Sequence, residues 1–119
     1  MEKNLIYAEM LDIYKGLLTE KQAEAMDYYY NSDYSLGEIS ELMDISRQGV
    51  RDFIKRGEAV MDETESKLSL VKKFRAASKI SSAAAEIKVL NKKLSESKRI
   101  HFLAEEILTA AKLIENGEE

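Results

Sequence analysis

The chain has 119 residues, 45% of them apolar and 34% charged, with no proline, no cysteine and only five glycines. That mixture can build one small core and favours helix over turn-rich sandwiches or barrels; without cysteine there are no disulfides, thiolate metal sites or cysteine nucleophile. Lys plus Arg total 18 against 22 Asp plus Glu, a net charge of −4, so any case for nucleic-acid binding has to come from local geometry.

Charge is spread unevenly. Residues 1–34 hold three bases and seven acids, whereas residues 72–99 hold nine bases and two acids. No apolar run approaches the ~18 residues that would suggest a membrane span. Glu2 and Asn4 interrupt any signal-peptide start. A soluble cytoplasmic protein is the expectation.

In chain order, Ile6, Met10, Ile13 and Leu17 fall three and four residues apart, with Leu11, Tyr14 and Leu18 widening the stripe of a first helix that Gly16 ends or softens. Thr19 reads as the cap of a second helix, with Gln22 completing a capping box, and that helix runs through Ala23, Met26 and Tyr30 to the "NSDYS" stretch. Ser35 with Glu38 repeats the box for a third helix whose apolar face is Leu36, Ile39, Leu42 and Met43. After a turn at Asp44 and Ile45, Ser46 caps a fourth helix carrying Val50, Phe53, Ile54, Val60 and Met61, with its end expected between residues 73 and 79. A fifth helix carries Ile80, Ala83, Ala84, Ile87, Leu90 and Leu94. A last one, capped by Ser95 or Ser97, carries Ile100, Leu103, Ile107, Ala111 and Ile114 and ends at "NGEE". The expected fold is all-α: a helix-turn-helix head over residues 1–73 and a C-terminal helical hairpin over 74–119, used for dimerisation or partner binding.

The stretch 35–56, "SLGEISELMDISRQGVRDFIKR", carries the functional signal. Two short helices crossing steeply share a small core, which Ile39, Met43, Ile45, Val50 and Phe53 would fill, and Ser40 supplies the small side chain needed where the helices approach. Arg47, Gln48, Arg51, Lys55 and Arg56 would then project away from the Val50 and Phe53 face. Arginine can bond a guanine edge through two donors, glutamine can pair with an adenine edge, and Lys55 and Arg56 suit phosphates. The alternative for these five is a solvated helix face. Asp44 stands where this turn usually has glycine; Gly49 falls within the recognition helix and would remove a side chain from its reading face; Asp52, Glu38 and Glu41 add negative charge nearby.

Residues 18–62 resemble region 4 of bacterial sigma factors, with Leu36, Glu38, Ile39, Ser46, Arg47, Val50 and Arg51 matching in type and spacing. The chain as a whole, with its Tyr-rich start and basic helical tail, resembles the YlxM family of small helix-turn-helix proteins. That resemblance implies a DNA-binding regulator associated with the signal recognition particle pathway. The alternative is an accessory protein that binds the particle's RNA or GTPase without touching a promoter. At 119 residues there is no room for a promoter-melting domain, so a sigma factor is not expected.

Further expectations follow from the remaining residues. Lys88, Lys92 and Lys93 form a second basic patch for RNA phosphate or an acidic partner, or simply line a solvated hairpin. The apolar stripes of the last two helices exceed what a small head can cover, which points to a homodimer, with the hairpin folded back on the first helix as the alternative. The triplet Tyr28, Tyr29 and Tyr30 cannot make one base-stacking platform, because successive helix positions point about 100° apart. His101 is the only histidine, and no nucleophile elbow, phosphate-binding glycine loop or paired carboxylate is present, so no enzyme, metal or cofactor is expected. Nucleic acid is the expected partner, with DNA favoured over RNA.

Overall fold

The computed structural model describes residues 3–94 and 96–116. Six α-helices follow one another among them: α1 (Ile6–Tyr14), α2 (Glu20–Met26), α3 (Leu36–Met43), α4 (Arg47–Leu68), α5 (Leu70–Leu94) and α6 (Lys98–Asn116). The chain divides into two compact units, one ending at Val71 and one beginning at Lys72.

Local side-chain chemistry starts the helices of the first unit. Asn4 Oδ1 accepts from the Ile6 amide at 3.1 Å. Both capping boxes are formed, Thr19 with Gln22 and Ser35 with Glu38, and Ser46 accepts from the Gly49 amide at 2.9 Å. Between α1 and α2 the chain tightens into one 3-10 turn, Lys15–Leu17. After α2 it widens into a π turn, Asp27–Asn31. That turn carries the three successive tyrosines to different surroundings. Tyr29 is buried, Tyr28 stacks on Tyr34, and Tyr30 packs its ring against Tyr7. None of them offers an open platform.

The core gathers Met10, Leu11, Tyr14, Ala25, Met26, Tyr29, Ile39, Val50, Ile54, Met61 and Val71. Its long element is α4, against which α1, α2 and α3 all pack. Gly57 is buried where α2 crosses α4, and a Cβ added there would lie 2.3 Å from Met26 Sδ. A row of acids runs along α4, each bonded to a tyrosine hydroxyl. Tyr30 donates to Glu58 at 3.1 Å, Tyr7 to Asp62 at 2.8 Å and Tyr14 to Glu65 at 2.5 Å. Spacings of four and three keep these acids on one side of the helix.

Two expectations are corrected. The fourth helix ends at Leu68, capped by Ser69, not between residues 73 and 79, and the fifth begins at Leu70. Ser69 turns left-handed (φ 53°), and the peptide after it is held from a distance: Leu70 N donates to the Tyr14 hydroxyl at 3.3 Å and Val71 N to Glu65 Oε1 at 3.0 Å. Leu42, expected on the buried face of α3, is exposed.

The second unit is a helical hairpin. Its seam is made of small side chains seven residues apart: Ala77, Ala84 and Asn91 on α5, Ser97, Ala104 and Ala111 on α6. Five of the six are buried and Ser97 is half-buried. Short side chains let the two backbones approach closely. Asn91 closes the turn, donating to Ser97 O at 2.8 Å and accepting from Ser97 N at 3.0 Å, and Lys88 bonds Glu105 across the seam. Ser97 also caps α6, accepting from Ile100 N at 3.3 Å. Ser95, the other candidate cap, lies outside the described residues. The large apolar residues expected along these helices flank the seam and remain exposed.

Candidate nucleic-acid interface

The geometry of the site starts from the α3–α4 turn. Asp44 adopts the left-handed conformation (φ 54°) that its short polar side chain tolerates. Ser40 reaches over the turn to donate to Ile45 O at 2.5 Å, while Ile45 N donates back to Ser40 O at 3.2 Å. Ile39 and Val50 are fully buried, and Met43, Ile45 and Phe53 are half-buried against them. These bonds and contacts fix the start of α4 against α3 through Val50 and Phe53.

The rest of the surface of the first three turns of α4 is wet. Arg47, Gln48, Arg51, Lys55 and Arg56 are all exposed, so the first ten residues of the helix present four bases against one acid, Asp52. Arg47, Arg51 and Lys55 follow one another at intervals of four, a single line along the helix. Gln48 Nε2 donates to Asp52 Oδ1 at 3.0 Å, and Lys55 stands 3.7 Å from Glu58. Glu38 is already engaged, its carboxylate accepting from the Ser35 amide at 3.1 Å.

Arg47 does not simply project outward. Its guanidinium lies back over the first turn of α3, where a Cβ on residue 37 would come 3.0 Å from Nη2 and 3.1 Å from Cζ. Gly37 therefore makes room for it. The periodicity of α3 gives no hint of this, because the contact crosses between helices; the signal available was a glycine two residues after a capping serine. Gly49 also differs from expectation. A Cβ there would face Ser46 Oγ at 3.2 Å and the Ile45 side chain at 3.6 Å, so its lack of a side chain does not thin the exposed face.

The second basic patch is only partly assembled. Lys88 is bonded to Glu105, and the hydrogen bond holds that carboxyl below the usual carboxylate range. Lys88 and Lys92 line an open cleft at the hairpin turn together with Glu96, Lys98 and His101, whereas Lys93 is not part of it. Among the described residues no cluster of three metal-ligating side chains occurs, and no helix is long and apolar enough to cross a membrane.

A capped helix crossing its predecessor over a serine-bridged turn, buried on one side and exposed on the other, makes this a helix-turn-helix protein. Residues 1–101 match the model of the UPF0122 family, described as "Putative helix-turn-helix protein, YlxM / p13 like", and the chain belongs to that family. Similar relatives are UPF0122 proteins of Acetivibrio thermocellus (57% identical over 74 residues, 62% of this chain and 63% of the relative) and Halalkalibacterium halodurans (51% over 80 residues, 67% and 73%). A UPF0122 protein of Bacillus mycoides is 40% identical over 110 residues, covering 92% of this chain and 94% of the relative. The stretch aligned with the Acetivibrio protein spans less than two thirds of that relative.

Proposed function

We propose that the protein is a DNA-binding regulator that lays the first three turns of α4 in the major groove. The observation that supports this reading is the division of α4: Val50, Ile54 and Met61 are wholly buried, while Arg47, Gln48, Arg51, Lys55 and Arg56 are exposed. In a groove, Arg51 and Gln48 are placed for base edges, and Lys55 and Arg56 for phosphates. Arg47 starts from its position over Gly37 and reaches the duplex by swinging about its side-chain torsions. Gln48 exchanges its bond to Asp52 for one to a base, which moderates affinity. The test is the Arg47→Glu, Arg51→Glu double variant against duplex DNA at two salt concentrations. Each lost base contact is worth about 1–3 kcal/mol, so affinity should fall at least ~10-fold while the far-ultraviolet helical signal stays unchanged. Unchanged affinity in a folded variant overturns the reading.

A second reading is favoured by the cleft at the hairpin turn, where Lys92, Lys98 and His101 converge at the start of α6. It makes the protein an accessory of the signal recognition particle that contacts the particle's RNA through the hairpin. On this reading Lys92→Ala with Lys98→Ala weakens binding to that RNA, and the Arg47→Glu, Arg51→Glu variant leaves it unchanged. The opposite pattern excludes it.

A further inference from the structure

The hairpin unit spends its small residues on its own seam and turns its large ones outward. On α5, Ile80, Ile87, Leu90 and Leu94 recur with Ala83 at alternating spacings of three and four; on α6, Ile100, Leu103, Ile107 and Ile114 do the same with Ala110. The eight large side chains are between 40% and 81% exposed. Both stripes lie on one face, since Ile87, Leu90 and Leu94 of α5 and Ile100 of α6 line a single groove. The seven-residue repeat carries that face along both helices.

We propose that this face is the homodimer interface, each hairpin covering the other to make a four-helix layer. Area argues for it. Eight Leu and Ile side chains at that exposure present roughly 800 Å² per copy, which is about what each partner buries in a stable interface and exceeds the ~300–600 Å² of the largest patch on a typical monomer. Charge argues for it too. Fifteen of the 45 residues from 72 to 116 are charged, yet none of the ten stripe positions is. A nucleic acid or an anionic lipid surface would meet no cation on this face, whereas a second copy meets an identical uncharged one. This inference is independent of the nucleic-acid reading and places two copies of α4 in one particle, the arrangement that a two-fold DNA site requires.

The test is the mass of the full chain in solution by light scattering and sedimentation across a concentration series. The wild type should run at twice the 13.5 kDa chain mass. Leu90→Glu with Ile107→Glu should weaken association at least ~100-fold by burying unpaired charge, and should yield a helical monomer. Val89→Glu, at an exposed position off both stripes, should remain dimeric. A monomeric wild type at tens of micromolar overturns the proposal whatever the variants do. So does a dimer that survives the double substitution, and so does a monomer that instead binds lipid vesicles through these residues.

Discussion

Replacing Tyr14 by phenylalanine tests the long-range tie that ends α4. The Tyr14 ring is 2% exposed, and its hydroxyl donates to Glu65 Oε1 at 2.5 Å while accepting from Leu70 N at 3.3 Å. Tyr14→Phe keeps the ring packing and removes both bonds. A hydrogen bond to an ionised group contributes about 1.5–3 kcal/mol, whereas the long Leu70 bond contributes little. Glu65 is half-buried and keeps the Val71 amide at 3.0 Å, so water and that amide recover part of the loss. The expected cost is therefore about 1.5–2 kcal/mol. The chain has no tryptophan, and all six tyrosines lie between residues 7 and 34, so tyrosine fluorescence in a urea titration reports the first unit alone. With a slope of ~1 kcal/mol/M for a unit of this size, the midpoint should drop by roughly 1.5–2 M. Glu65→Gln and the double variant close a thermodynamic cycle, in which the pair should couple by about 1 kcal/mol. A loss below ~0.5 kcal/mol, or simple additivity of the two substitutions, refutes the argument.

Two further outcomes follow from the same core. Gly57→Ala would ordinarily gain up to ~1 kcal/mol of helix propensity, but its Cβ meets Met26 Sδ at 2.3 Å inside a fully buried contact, so it should cost about 1–3 kcal/mol in the same titration; a stabilised variant would show that α2 and α4 are not so tightly opposed. In alkali, burial, and then Asp62 beside its hydroxyl, push Tyr7 up to about 12, and burial with Glu58 and Glu65 raises Tyr30 and Tyr14 as well. Folded values above the unfolded ~10 mean that this stability is fully present below pH ~10 and lost as pH rises toward 12 and beyond. A tyrosinate absorbance titration should show Tyr7→Phe removing one group from that late window, and a late window of undiminished amplitude would disprove the assignment.

What the sequence made legible is what short-range chemistry decides. The boxes of Thr19 with Gln22 and Ser35 with Glu38, and the Ser46 cap, act within three residues and are found where the residue types place them. The helix-turn-helix skeleton of Ile39, Ser40, Val50 and Phe53 was legible because two short helices joined by a tight turn leave one small shared core, which fixes the spacing of its apolar and small residues. The break at Ser69 was not. No glycine or proline marks it, and the groups that fix it, Tyr14 and Glu65, include one more than fifty residues away. The hairpin was foreseen but not its packing. Hydrophobicity draws attention to isoleucine and leucine, whereas close approach of two backbones selects alanine, so the inner seam lay in the seven-residue spacing of Ala77, Ala84 and Asn91. At the candidate interface the exposed side chains were readable, but the resting place of Arg47 over Gly37 depends on how α3 and α4 cross.

The row of tyrosine–acid bonds also has a consequence for the order in which the chain can acquire structure during synthesis. Its members join residues 28 to 55 positions apart, and the last acid is Glu65. The N-terminal helices therefore emerge from the ribosome with hydroxyls whose partners, and apolar faces whose main packing element, arrive only when nearly all of α4 has followed. The hairpin is closed by groups only 6 and 17 residues apart and can zip as soon as its turn is made. The segment translated before α4 is thus the one that waits longest. In that interval its excess of acids, seven against three bases in the first 34 residues, keeps nascent chains apart by mutual repulsion.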